Sequence, residues 1–321
     1  MMPIDSSLLP PAAAPDDLPA GRPDAASEPR ATQLTPNMAH AALFLLLVLV
    51  AALLVGLSFG VLLQHLAPHL HEPLEQMQTD PRLVVPVEAV LYGLAAGASS
   101  LIFPMLWGRS FGEGIHWCWS AVKRHGWAPV VIGVVTSVVV QALSNFLPIP
   151  KELPIDKFFT NQMGVWLIAI FGVTVAPAFE ELAFRGFLLP SLATAWDWVA
   201  VWMRRRRRAA EQGERPDDRE PWPATVAAPV ASLQEPRWSV SAMVFSTIVT
   251  SIGFAMLHGA QLAHSFALLA VLFCVSVVLC VTRIRFHSLA ASTLVHSMYN
   301  ATIFVLLFVG TGGFRHLDKL G

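Results

Sequence analysis

Charge is what this chain has least of. Of its 321 residues, 13% are Asp, Glu, Lys or Arg and 55% are hydrophobic, whereas an ordinary soluble domain is roughly one-quarter charged. Most of the chain is therefore built for lipid. The net charge of −1 gives no overall positive field on which nucleic-acid binding could rest, and no nucleic-acid partner is expected. Cysteine is scarce as well. Cys118, Cys274 and Cys280 are too few and too scattered for a disulfide framework. No Cys-x-x-Cys pair exists, which sets aside a thiolate zinc site. There is no internal repeat of the kind many transporters carry. No basic stretch leads into a short apolar core with a cleavage site, so the first span is expected to act as a retained export signal.

What is present is a succession of apolar runs, near residues 41–65, 84–108, 127–148, 164–190, 240–258, 264–283 and 287–310. A helix needs about 20 apolar residues to cross roughly 30 Å of hydrocarbon. The expected fold class is thus all-α, a polytopic transmembrane helical bundle of about seven spans with its polar site inside the bundle. Pro104 and Pro177 fall within the second and fourth runs, where each removes a backbone hydrogen bond and tends to kink a helix. Residues 1–36 hold eight prolines, five acids and two arginines, a composition that reads as a disordered tail. Residues 37–126 read as accessory spans, 127–310 as the functional core, and 311–321 as a short tail.

The core is interrupted by a basic, proline-rich loop over 203–237. It opens with Arg204–Arg208 directly after Trp196, Trp198 and Trp202, the pattern of an interfacial aromatic belt followed by a basic stop against anionic headgroups. With the amino terminus in the cytoplasm, fifteen Lys and Arg lie on the inner side against five outside. That bias sets the expected orientation.

Ionisable residues within a span cost a few kcal/mol each even on the mildest scale, so each one is a functional hypothesis. Three groups stand out. The first is Glu180-Glu181-Leu182-Ala183-Phe184-Arg185 in the fourth run. Glu181 and Arg185 are i and i+4, the favourable order for an ion pair. Glu180 lies about 100° further round the helix, which leaves it free to act as a base. The second is Phe254-Ala255-Met256-Leu257-His258 at the end of the fifth run, with His264 a weaker candidate in the following turn. The third is His296-Ser297-Met298-Tyr299-Asn300 in the last run, where His296 and Asn300 share a face. Together they supply a carboxylate to take a proton from water, imidazoles to hold that water directly or through a metal, and an amide to meet an oxyanion.

In this order and on successive hydrophobic runs, Glu180-Glu181 with Arg185, Phe254 with His258, and His296 with Asn300 resemble the CAAX protease and bacteriocin-processing (CPBP) family of intramembrane proteases. The resemblance covers roughly residues 130–310. It implies an endopeptidase acting on a membrane-associated protein or peptide, lipid-modified substrates included, with membrane lipid as its surroundings and a bacterial inner membrane as its location. By resemblance Glu180 activates the water, His258 and His296 position it or bind a metal, Asn300 stabilises the oxyanion, and Glu181 with Arg185 braces the site. Both chemistries stay open: a Zn2+ held by His258, His296 and Glu180, the expected label, or a metal-free glutamate mechanism. There is no His-Glu-x-x-His pair, and an arginine beside the site disfavours a cation. The alternative to an enzyme is a membrane scaffold or bacteriocin-immunity protein that keeps the polar core for structure. A third reading is an ion-coupled transporter using it as a proton relay. One conflict stands out: counted from the cytoplasmic ends of their runs, His258 falls roughly 27 Å across and His296 only about 13 Å.

Overall fold

A computed structural model describes residues 36–70, 80–148, 150, 153–159, 162–211 and 238–315. The chain is an all-α polytopic bundle, with no strand among the described residues. Its helices are α1 (Met38–Leu70), α2 (Pro81–Trp107), the short α3 (Phe111–Gly114) and α4 (Trp119–His125), α5 (Ala128–Ser144), α6 (Gln162–Val173), α7 (Val175–Glu181), α8 (Leu189–Glu211), α9 (Val240–Leu257), α10 (Phe266–Phe286) and α11 (Leu289–Gly310). A 3-10 turn, Pro154–Phe159, precedes α6. Among the described residues, six helical stretches are long and apolar enough to cross a membrane, seven if α4 and α5, bent by 78° at their junction, form one span. Their outward faces are apolar: Leu101, Met105, Val240 and Val309 are all well exposed. Such a surface requires hydrocarbon around it. Residues 1–35 of the tail expected over 1–36, the loop residues 212–237 and the final residues 316–321 lie outside the described residues.

Two prolines behave differently. Pro104 sits in the last turn of α2, which continues to Trp107; Gly108, at φ 64°, closes it by donating its N–H to the Pro104 carbonyl. So close to a helix end, there is little helix left to break. Pro177 has no N–H to offer the Val173 carbonyl and its ring crowds that oxygen. Accordingly α6 stops at Val173 and α7 starts at Val175. The helical path then widens into a π segment, Leu182–Leu188, before α8. Wide turns of this kind occur often at functional sites.

Arg204–Arg208 do not open a loop: they lie on α8, which runs to Glu211. Ala and Arg are strong helix formers, and cations near a carboxyl-terminal end complement the helix dipole. Arg206 also stacks over the Trp202 ring at 4.2 Å, one turn away.

Close helix contact positions the last span. A Cβ built on Gly133 of α5 would lie 2.5 Å from the Val295 carbonyl oxygen and 2.7 Å from the Met298 Cβ. The two helices therefore touch beside His296. Gly133→Ala is expected to push them apart and to cost about 1–3 kcal/mol through overpacking, read as a lower unfolding temperature in detergent. An unchanged transition would show that this contact does not set the position of α11.

The candidate active site

The site lies where α7, the π segment, α9, α10 and α11 meet. Glu181 and Arg185 are fully buried and paired, Arg185 Nη1 to Glu181 Oε1 at 2.9 Å. The other end of the guanidinium, Nη2, donates to the Ser276 carbonyl at 3.1 Å and to Ser276 Oγ at 2.5 Å on α10. Its flat face lies 4.7 Å from the Phe254 ring, a cation–π contact that gains strength away from water. A buried charge is tolerable only when paired and hydrogen-bonded in this way. Among the described residues, Glu181 Oε2 and Arg185 Nε have no hydrogen-bond partner.

His296 is held by the same carboxylate, its Nδ1 lying 3.1 Å from Glu181 Oε1. A carboxylate committed to Arg185 accepts, so Nδ1 donates to it and Nε2 lies on the far side of the ring. Facing Nε2 at 3.8 Å is Oε2 of Glu180, whose side chain keeps 15% of its exposure. Glu180 thus stands outside the ion pair and beside the imidazole.

His258 caps the end of α9 and donates its Nδ1–H to the Phe254 carbonyl at 2.9 Å. Phe254 fills the space between the imidazoles, its ring 4.8 Å from that of His258 and 5.8 Å from that of His296. One aromatic ring therefore touches both histidines and the guanidinium, a physical reason for a phenylalanine four residues before the histidine. Phe254→Leu keeps the bulk and loses the ring face. It should lower stability by about 1–2 kcal/mol, measured by thermal unfolding. A change below a few tenths would show that the ring contributes only volume.

Asn300 lies one turn after His296, and its Nδ2 donates to the Gly172 carbonyl at 2.6 Å. Gly172 is in the last turn of α6, immediately before the break at Pro177, so Asn300 ties α11 to the broken span. This bond uses one of the two Nδ2 hydrogens. His264 falls in the exposed turn after α9 at φ 54°, and its N–H donates to the Gly259 carbonyl.

His258 and His296 follow unequal lengths of helix, about 27 Å from Val240 and about 11 Å from Leu289, yet both rings lie against Phe254. The start of α9 is anchored where the Ser239 N–H donates to Asp197 on α8 at 2.9 Å.

Two residues near the site are not singled out by the sequence. Ser276 is a single hydroxyl in an apolar run. Glu88 on α2 is a further carboxylate within a span; it and Tyr92, one turn later, interact electrostatically with Glu180. Tyr92 stacks on Phe179 at 4.0 Å. An acid within an apolar run was the available signal for Glu88.

Among the described residues, no three His, Cys, Asp or Glu side chains gather as a metal-ligand set. The expected zinc set of Glu180, His258 and His296 is not gathered as a ligand set in this arrangement: the His258 Nδ1–H is committed to the Phe254 carbonyl, and the Arg185 guanidinium supplies the positive charge beside the carboxylates.

Fold and site define a polytopic helical membrane protein with a buried carboxylate–imidazole cluster at its centre. The family model described as Rce1-like, type II CAAX prenyl endopeptidase, matches residues 162–204 and 227–302, and all seven residues of the three motifs fall within the match. These two stretches of the chain are therefore similar to that family's domain. The match starts at α6, so α1, α2 and α5 lie outside it. No curated protein and no solved structure matches the chain.

Proposed function

We propose that the protein is a membrane-embedded endopeptidase in which Glu180 activates a water molecule for attack on a peptide carbonyl. The observation that carries this reading is the facing pair Glu180 Oε2 and His296 Nε2 at 3.8 Å. With His296 protonated at Nδ1, both atoms are acceptors. Two acceptors at that separation suit one water donating a hydrogen to each, which leaves its lone pair free for attack. Glu180 takes the proton as the water adds, and passes it to the leaving amine as the tetrahedral intermediate collapses.

Glu181 acts through His296: it holds the ring in the tautomer whose Nε2 faces the water, while Arg185 keeps Glu181 ionised and in place. His258, its Nδ1 occupied by the Phe254 carbonyl, presents Nε2, and the second Nδ2 hydrogen of Asn300 is available to the developing oxyanion. Beside Glu180, an apolar groove of about 570 Å³ lies between α2 and α7, flanked by Tyr92, Phe179 and Leu182. It suits the apolar portion of a membrane-anchored substrate, of which a prenylated carboxyl-terminal peptide, the substrate in the family's name, is one member. No step requires a metal.

The test is cleavage of membrane-anchored peptides, prenylated and unmodified, by the purified full chain in liposomes, with both fragments identified by mass. Cleavage lost in Glu180→Ala supports the assignment. A Glu180→Ala protein that cleaves as well as wild type overturns it.

A further inference from the structure

A cavity of about 1430 Å³ lies away from the carboxylates. Its walls are apolar and come from two antiparallel helices, Val244 and Ile248 on α9 and Phe273, Val277 and Val281 on α10. Val244, Ile248 and Val281 are each more than 40% exposed, so the cavity opens sideways, towards the hydrocarbon that an apolar span requires. At one end it is ringed by Arg124 and His125 of α4 and by Arg283, Arg285 and His287 at the end of α10. No Asp or Glu lines it.

This basic ring is assembled, not accidental. Segments more than 150 residues apart in sequence meet where Ser288 Oγ donates to the Cys118 carbonyl at 2.8 Å and the Leu289 N–H donates to the His116 carbonyl at 2.9 Å. The His125 ring stacks on Phe286 at 4.3 Å. Trp238 stands at the same end, the place of an interfacial aromatic anchor. From Arg285 to Phe273 the groove runs about 18 Å along α10, close to the depth of one leaflet of a roughly 30 Å hydrocarbon core. An amphiphile with an anionic head and a long alkyl tail matches every part of this: a cationic collar at headgroup level, then an apolar channel one leaflet deep.

We propose that this groove binds an anionic phospholipid, its phosphate held by Arg124 and Arg285 with His125 and its acyl chain lying between α9 and α10. Arg124 and Arg285 are both exposed, so their replacement leaves the core intact. The site is independent of the peptidase reading, because its residues are remote from Glu180.

Purified full-length protein in a neutral detergent is titrated with phosphatidylglycerol, with phosphatidylcholine and with inorganic phosphate, and the unfolding temperature is followed. Phosphatidylglycerol should raise it saturably, whereas phosphatidylcholine and phosphate should not. R124Q/R285Q should need roughly thirtyfold more phosphatidylglycerol for half the effect, at about fivefold per cation. Val244→Trp, which fills the channel and keeps every charge, should also blunt the shift. R204Q/R207Q, on α8 outside the groove, should leave it unchanged. An equal response to phosphatidylcholine, an equal response to phosphate alone, or equal weakening by R204Q/R207Q overturns the site. So does an unweakened response in both R124Q/R285Q and Val244→Trp.

Discussion

Glu180→Gln removes peptide hydrolysis, with kcat falling about 10³-fold or more, while the unfolding temperature stays near that of wild type. The two halves of this expectation come from different features of the site. Gln has the size and shape of Glu but cannot take a proton, and a positioned general base contributes roughly 10²–10⁴-fold. Its amide would also donate towards the His296 Nε2 lone pair, occupying the position proposed for the water. Stability is spared because Glu180 is not part of the Glu181–Arg185 pair and is partly exposed. Kinetics of a membrane-anchored peptide, with thermal unfolding of the same preparation, separate the two. Activity within threefold of wild type would remove Glu180 from the chemistry. Lost activity with a collapsed transition would make it a structural residue instead.

Much of this site could be read in the sequence because its parts follow local rules. The i, i+4 relation of Glu181 and Arg185 is a property of one helix, and the pair forms at 2.9 Å. The apolar runs give the spans, since lipid demands continuous hydrophobic length. What could not be read depends on how separate segments stand against one another. Counting residues from the start of each run sets His258 and His296 at different depths, whereas the packing of α9 on α11 brings both rings against Phe254. The π segment at Leu182–Leu188 carries no compositional mark, and Ser276 is one small polar residue among many apolar ones. Asn300 looked like a pure oxyanion donor because nothing in the sequence announces that the break at Pro177 brings the Gly172 carbonyl within its reach. The arginine run was taken for a loop because it follows the belt of tryptophans, although its propensity is helical.

Breaking the Glu181–Arg185 pair from one side should be the most destabilising change at the site. Arg185→Met leaves a carboxylate with no exposed surface stripped of its ionic partner, with the His296 Nδ1–H still donating to it at 3.1 Å. Removing one partner of a buried pair typically costs about 3–5 kcal/mol. Replacing both by apolar residues of similar volume is often neutral, because neither charge then has to be desolvated. The double variant Glu181→Leu with Arg185→Met should therefore regain most of the stability that Arg185→Met loses, with Ser276 turning its hydroxyl to a carbonyl of its own helix. Activity should not return with it. Without Glu181 nothing in the cluster holds the proton on Nδ1 of His296, so the ring loses the tautomer and the orientation that present Nε2 to Glu180. Thermal unfolding and peptide cleavage measured side by side decide the matter. Wild-type stability in Arg185→Met would show that the pair braces nothing, and full cleavage by the double variant would show that His296 is oriented by something other than Glu181.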